Sequence, residues 1–463
     1  MSASNSISRN EKTVLILGGT GFIGRELGIL LTSLGYSVRI LTRANPNTLL
    51  LPYPAKIIQW RGDIPAEAIS ECFAVVNLAG DSVASGRWTD EKKESIIASR
   101  RSVAASLIEA INRHHPKLRV LVQASAIGFY GDRNDLELDE NSPPGTGFLA
   151  ETCLAWENSL DDLPETVRKV TTRIGVVLGH GGGALSEIAE IYGKGLGAVL
   201  GSGKQYMSWI HIADICKFIS EAIEIEGYSG TYNLTAPHPV QNSEFHQAMM
   251  KYFTRSSPLK VPEFVLKTVL GEKSKLVLDS QNVKPRRALA QGFKFNYTTI
   301  EQALDSLYSE KMPNSFILLQ KQWVPFKRDQ VWDFFSSEKN LERITPPWLN
   351  FKVVKKSSNE IENGTLIDYR LKIHGIPVAW QSEIIDFEAP NQFVDKQLKG
   401  PYKLWHHRHA FVELADGTLL IDLIHFSLPV GMLGAIFGMP LAKIDLNKIF
   451  NYRKKIIGTL FSN

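Results

Sequence analysis

The pattern of apolar positions opens on a continuous run, Val14-Leu-Ile-Leu17, which passes into a glycine turn and then into Leu27, Leu30, Leu31 and Leu34 at helical spacing, closed by Gly35. An unbroken apolar run predicts a strand buried on both faces, and the spacing after the turn predicts an amphipathic helix packed beside it. Comparable runs recur at residues 37–43, 56–60, 74–78, 120–124 and 170–178, with helical patterns between several of them. That alternation predicts an α/β fold, a Rossmann-type doubly wound parallel sheet over residues 12–308. From about residue 235 to 308 the pattern turns mostly helical with prolines, as a small substrate lobe would. Residues 309–315, Ser-Glu-Lys-Met-Pro-Asn-Ser, read as a linker.

Beyond the linker the period changes to two. Ile367, Tyr369, Leu371 and Ile373 alternate with Asp368, Arg370 and Lys372, and Asp416-Gly417 is a hairpin signal between apolar strands. Helices are predicted to start near Asp329 and to run from about Ala442 to the chain end. Several strands with a long terminal helix predict an α+β helix-grip domain over 316–463, whose curved sheet encloses an apolar pocket with that helix as its lid.

Composition frames these two domains without redirecting them. The 463 residues are 44% hydrophobic and 22% charged with a formal charge of +4, as expected for a globular chain too long for one core. The basic residues are interspersed, so no nucleic-acid footprint is expected. Cys72, Cys153 and Cys216 are far apart in apolar surroundings, which fits reduced thiols and a cytoplasmic location. The polar opening, residues 1–12, lacks an apolar signal-peptide core. The apolar stretch 426–442 is broken by Pro429, Gly431, Gly434, Gly438 and Pro440, so no stable membrane insertion is expected. Surface contact by the basic terminal helix, with Lys448, Arg453, Lys454 and Lys455, is the weaker alternative to a core-packed helix.

The glycine turn carries the clearest chemistry. Gly18, Gly21 and Gly24, at three-residue spacing between strand and helix, permit a tight turn, close approach of backbone to a pyrophosphate, and helix packing against the strand. The helix start then aims free amides at the phosphates. An NAD site usually has Asp or Glu at the end of the second strand, roughly 20 residues on. This chain has Thr42-Arg43, and a guanidinium there suits the 2′-phosphate of NADP(H). Asn77 to Gly80 and Ser125 fall at two further strand ends, where ligands of such sheets sit.

Residues 12–307 resemble the atypical extended short-chain dehydrogenase/reductases labelled nucleoside-diphosphate-sugar epimerases. The resemblance lies in Gly-Gly-Thr-Gly-Phe-Ile-Gly24, Asn77-Leu-Ala-Gly80, Arg87-Trp88, Ser99-Arg100, Ser125-Ala-Ile-Gly-Phe-Tyr-Gly131, Gly201-Ser-Gly203, Trp209-Ile-His-Ile212, Asn233-Leu-Thr-Ala-Pro237 and Gly292-Phe293. It implies NADP(H) held by Gly18, Gly19, Thr20, Gly21, Phe22, Ile23, Gly24, Thr42, Arg43, Asp63, Leu78, Ala79, Gly80 and Arg100, beside a small-molecule substrate. Residues 316–463 resemble START-like domains of the SRPBCC superfamily through Leu341-Glu-Arg-Ile-Thr-Pro-Pro-Trp348, Gly400-Pro-Tyr-Lys-Leu-Trp405 and Leu428-Pro-Val-Gly431. That resemblance implies an apolar ligand in the C-terminal domain.

One departure bears on activity. The superfamily's Tyr-x-x-x-Lys pair transfers a proton through a tyrosine whose pKa the lysine lowers. Counting from Glu157, Leu149 and Cys153 occupy those two places, and Ala126, beside Ser125, occupies the usual Ser/Thr place. Replacement groups are then Tyr130, Ser125 and His211 for acid–base work, with Arg173 and Trp209 toward substrate; each has a plain alternative as a buried or paired scaffold residue. His407 and His409 share one strand face and invite a metal reading with His374 or His425 as third ligand. With no Cys or carboxylate evident to complete the set, pocket lining is the expected role and no metal is assigned. Two functions follow: an NADP(H)-dependent oxidoreductase or epimerase-like enzyme, or a non-catalytic NADP(H)-responsive binding protein.

Overall fold

The computed structural model describes residues 12–253, 260–312, 315–429 and 434–461. Residues 1–11 of the polar opening, 313–314 of the linker and 430–433 of the apolar stretch, including Gly431, lie outside them.

Seven parallel strands form the first sheet: β1 (Thr13–Leu17), β2 (Ser37–Thr42), β3 (Lys56–Gln59), β4 (Cys72–Asn77), β5 (Val120–Ala126), β6 (Arg168–Ile174) and β7 (Gly230–Leu234), in the order β7-β6-β5-β4-β1-β2-β3. β1 shows why its sequence is apolar throughout. Val14 and Ile16 join the core on one face of the sheet, and Leu15 and Leu17 join the core on the other. Helix α1 (Phe22–Ser33) follows the glycine turn and buries Leu27 and Leu31.

Two sequence expectations need correction here. The run 170–178 is two strands, because the backbone changes partner at Gly175: its amide still donates to Leu234 at 3.0 Å, while the next, Val176, donates to Ser208 at 2.9 Å. Val176–Leu178 pairs instead with Trp209–His211. β7 went unpredicted, since Gly-Thr-Tyr-Asn-Leu carries little apolar signal; it forms because β6 leaves an edge that its backbone completes.

The second sheet is antiparallel: β8 (Phe316–Val324), β9 (Lys352–Lys356), β10 (Leu366–Ile373), β11 (Ile376–Glu388), β12 (Gln392–Lys399), β13 (Leu404–Leu414) and β14 (Gly417–Ser427), in the order β8-β14-β13-β12-β11-β10-β9. The hairpin loop at its centre is Ala415-Asp416, one residue earlier than Asp416-Gly417. Ala415 takes φ +51°, and Gly417 starts β14 where a Cβ would lie 2.3 Å from the Val324 carbonyl oxygen. The terminal helix α2 (Met439–Leu460) lies across the concave face, burying Leu446, Phe450 and Ile457.

The outer face of β8 and of the β13–β14 hairpin packs on the first domain. Leu414 and Leu419 are buried in the core that covers β1, with Trp323 and Ile421 against it. The Trp323 amide donates to the Leu51 carbonyl at 3.0 Å, and Lys321 pairs with Glu26 of α1 at 2.7 Å. Among the described residues no helix is long and apolar enough to cross a membrane.

Candidate functional site

The glycine turn is shaped by backbone contacts. Gly18 has φ +82°, in the left-handed region that favours glycine, and a Cβ there would lie 2.9 Å from the Leu78 carbonyl carbon and oxygen. At Gly24 a Cβ would lie 2.4 Å from the Gly18 carbonyl oxygen, so only glycine lets α1 start this close to the turn. The Gly21 amide donates to Gly18 at 2.9 Å, and Gly21 caps α1 without a side chain. The amides of the first turn, at Phe22, Ile23 and Gly24, therefore lack a side-chain cap and stand as a cradle for an anion. Tyr53 holds the turn from behind by donating to Gly19 at 3.0 Å, and Arg25 Nε donates to Thr20 at 2.9 Å.

Along the sheet's carboxyl edge, Thr42 is buried and its hydroxyl accepts from the Ala44 amide at 3.1 Å, which leaves Arg43 exposed at the end of β2. Asp63 is exposed on the loop after β3, whose Trp60 amide donates to Thr42 at 2.7 Å. Leu78, Ala79 and Gly80 leave β4 beside the turn. Asn77, fully buried, fixes them by accepting from the Ala79 amide at 3.2 Å while donating to Gln123 at 2.9 Å. Arg100 lies against Gly80 and over the Trp156 ring at 4.4 Å, and its Nε is buried without a partner. The turn and Arg43 thus present uncapped amides and an exposed guanidinium, a set suited to phosphates, while Arg100 is enclosed beside them with its Nη1 donating to the Asp81 and Ile96 carbonyls at 3.1 and 2.8 Å.

The catalytic and substrate candidates are placed differently. Ser125 donates to Glu157 at 2.7 Å, and Arg173 closes a two-pronged pair on the same carboxylate at 2.9 and 2.8 Å. Arg173 also donates to the Tyr130 hydroxyl at 3.0 Å, which donates to Asn233 at 2.7 Å. Tyr130 is fully buried and burial pushes its hydroxyl up to about 12, so its expected role as a proton donor to substrate conflicts with this arrangement. His211 caps a helix: its Nδ1 accepts from the Ala213 amide at 3.2 Å, its ring centroid lies 3.9 Å from that of Tyr297 with the planes tilted by 44°, and burial draws its pKa down to about 4. Trp209 is fully buried and donates to the His238 carbonyl at 3.1 Å. In this structure the Ser125, Tyr130, Arg173, His211 and Trp209 polar atoms expected to meet substrate are each bonded to a neighbour. Leu149 and Cys153 face the turn after β5, with the Cys153 sulfur 3.7 Å from where a Cβ on Gly128 would lie. Glu157, the centre of this network, is named in the sequence only as a landmark; no spacing there marks it as the shared partner of Ser125 and Arg173.

The second domain holds a cavity of about 410 Å³ between the concave sheet and α2, with walls including Leu341, Ile344, Trp348, Leu371, Trp405 and Phe450. His407 and His409 face inward here, yet His374 pairs with Asp445 at 2.8 Å and His425 lies beside His406 on the other face, so neither joins them. The carboxylate unseen in the sequence is Asp422, whose Oδ1 lies 3.0 Å from His407 Nε2 and 2.7 Å from His409 Nδ1. Their ligand-type atoms lie within 4.8 Å of one another. Arg453 stands 3.7 Å from Asp422 Oδ1 and 3.3 Å from His409 Nδ1, so a guanidinium already supplies the cation at this cluster.

A parallel sheet ordered 3-2-1-4-5 from one edge, with a glycine turn after its first strand, defines the Rossmann-type α/β class. Comparison with known proteins narrows it. Residues 14–234 match the NAD dependent epimerase/dehydratase family, and residues 261–307 match a domain of unknown function, DUF1731. The chloroplastic epimerase family protein SDR39U1 homolog of Arabidopsis thaliana is 39% identical over 315 residues, covering 65% of this chain and 88% of its own. Epimerase family protein YfhF of Bacillus subtilis is 35% identical over 302 residues, covering 64% and 98%. Human SDR39U1, isoform 2, crystallised with NADPH, superposes with a TM-score of 0.59 at 30% identity over 64% of this chain and 99% of that one. The chain belongs to the SDR39U1 epimerase family.

Proposed function

We propose that this protein binds NADP(H) on its Rossmann-type domain and acts as an oxidoreductase or epimerase-like enzyme on a small molecule. In this reading a START-like C-terminal domain holds an apolar ligand, and the protein works in the cytoplasm. The observation that carries the cofactor reading is the pairing of an uncapped glycine turn with Arg43, and no acid, at the end of β2. Gly18 to Gly24 and Leu78 to Gly80 would hold the pyrophosphate side, Arg43 and Thr42 the 2′-phosphate, Asp63 the adenine side, and Arg100 a further polar group of the dinucleotide. The NADPH crystallised with human SDR39U1 supports this choice. When bound, the nicotinamide supplies or accepts hydride.

A specific observation favours the second reading, a non-catalytic NADP(H)-responsive binding protein: Tyr130, Ser125, His211 and Arg173 are committed to internal partners. Stopped-flow absorbance at the nicotinamide band with a carbonyl library separates the two. Turnover supports the enzyme, and tight NADPH binding without redox change supports the binder. Failure to bind NADPH in calorimetry overturns both. For the C-terminal domain, the support is the cavity roofed by α2, and native mass spectrometry should find a co-purified apolar molecule there.

A further inference from the structure

The cavity under α2 has an apolar wall and a polar floor, and the floor is incompletely bonded. Inward positions of successive strands place Tyr369 on β10, Ser382 on β11, Asp395 on β12 and His407 on β13; Asp395 is directly opposite His407. Tyr369, Asp395, His407 and Arg453 all line the cavity. Three polar atoms among them, the Tyr369 hydroxyl, Asp395 Oδ1 and Arg453 Nε, are buried with no hydrogen-bond partner of ordinary geometry. Tyr369 is 4% exposed and Ser382 is fully enclosed. Ser382 is the polar neighbour of both Tyr369 and Asp395, and it already accepts from Trp380 Nε1 at 3.0 Å. That hydroxyl has one proton to give, and neither the Tyr369 hydroxyl nor Asp395 Oδ1 makes a hydrogen bond of ordinary geometry with it.

Buried polar atoms left unpaired are costly, and three around one cavity are hard to explain as core packing. The charges of the floor narrow what would complete them. Arg453 lies 3.7 Å from Asp422, and that cation, with hydrogen bonds from His407 and His409, keeps the Asp422 carboxyl well below its usual range despite burial. Burial raises the Asp395 carboxyl, and burial draws His407 down to about 4. The positive charge is therefore already matched, and an anionic head would add an uncompensated buried charge. A neutral oxygen would not, and it can accept from a hydroxyl and a guanidinium while facing the carboxyl.

We infer that this floor is a head-group site for a neutral ketone or alcohol on an otherwise apolar body, its oxygen held by Tyr369, Asp395 and Arg453. The inference rests on the apolar-ligand reading of the domain and adds to it the polar function of the ligand.

The test uses the full-length protein with Nile red as a neutral fluorescent probe, displaced by three compounds of one skeleton: tetralin, alpha-tetralone and alpha-tetralol. The ketone and the alcohol should displace it at least about tenfold better than the hydrocarbon, the worth of one good hydrogen bond in a dry site. In Tyr369→Phe and in Asp395→Leu that preference should fall to within about threefold while tetralin itself is unaffected, and Asp395→Asn, which keeps a polar side chain of the same size, should keep it. Tyr369→Phe removes one unpartnered oxygen and keeps the ring, so it tests the idea even if Asp395→Leu does not fold. Equal displacement by all three compounds in the unsubstituted protein overturns the head-group site and leaves the apolar pocket standing. Saturable Nile red binding that is absent altogether removes the pocket, and the head-group site with it.

Discussion

The crevice at the carboxyl edge of the parallel sheet and the cavity under α2 solve recognition in opposite ways. In the crevice, Ser125, Glu157, Arg173, Tyr130 and Asn233 satisfy one another, and what remains open is backbone amides and the Arg43 guanidinium. In the cavity the backbone is consumed by the sheet, and what remains open is side-chain atoms of Tyr369, Asp395 and Arg453. A backbone site suits a ligand with phosphates common to many proteins. A side-chain site suits a ligand particular to this one.

The comparison breaks most sharply at Arg173. If the crevice network is scaffold, Arg173→Met leaves the largely enclosed Glu157 carboxylate with the Ser125 hydroxyl but no cation, and removes the guanidinium from the Phe129 ring 3.3 Å away. The expected loss is about 3–5 kcal/mol, read as a shifted urea transition. A loss below about 1 kcal/mol, with weakened binding of a substrate, would return Arg173 to the substrate role.

The next largest effect is a pH dependence at His211. Its pKa is lowered from 6.5 to about 4 by burial, so as pH falls through that window the unfolded chain takes a proton that the folded one refuses. Stability thus rises with pH across the window and falls toward acid, by up to about 3 kcal/mol for this group, with no further loss below the folded pKa. His211→Asn puts a side-chain oxygen in place of the Nδ1 acceptor of the helix cap and should flatten part of that acid slope in denaturation midpoints measured at two pH values. An unchanged slope would show that His211 titrates normally and is available as an acid or base.

The same contrast explains what the sequence disclosed. The first domain was legible down to strand ends because its cofactor turn needs glycine at fixed spacing and its strands are apolar on both faces, as Val14 to Leu17 are. The roles of Tyr130, His211 and Trp209 were not, because a type and a position do not say whether a polar atom is already bonded. In the second domain the alternation at 367–373 located strand and faces, yet no motif in the sequence singles out Asp395 or Asp422 among the other acidic residues. Strand parity could have found Asp395, two residues from inward Phe393; what no pattern gives is the crossing of five strands and one helix that brings Tyr369, Asp395, Asp422 and Arg453 together.

Cofactor choice sharpens the comparison on the crevice side. NADPH should bind at least about tenfold tighter than NADH, about 1.4 kcal/mol, and Arg43→Ala should abolish most of that difference in calorimetry. Because Arg43 is exposed at a strand end, the substitution should leave thermal stability nearly unchanged. Equal affinities in the unsubstituted protein would mean that the 2′-phosphate is not read at this position.

The smallest effect is expected at Cys153, which stands where the superfamily's lysine would be. Its thiol is buried, and burial, followed by the Glu157 carboxylate, pushes its pKa up to about 11, so almost no thiolate exists near neutrality. The thiol packs with Ile127, Phe129 and Tyr130 in a small apolar cluster, a packing role rather than a reactive one. Cys153→Ser is nearly the same size and should leave NADPH affinity, and any reductase turnover, within about threefold, under roughly 1 kcal/mol. Loss of two or more orders of magnitude in turnover with the fold and NADPH affinity intact would show that the thiol takes part in chemistry. That outcome would reverse the comparison, because the crevice would then hold a side-chain site of its own beneath the backbone cradle.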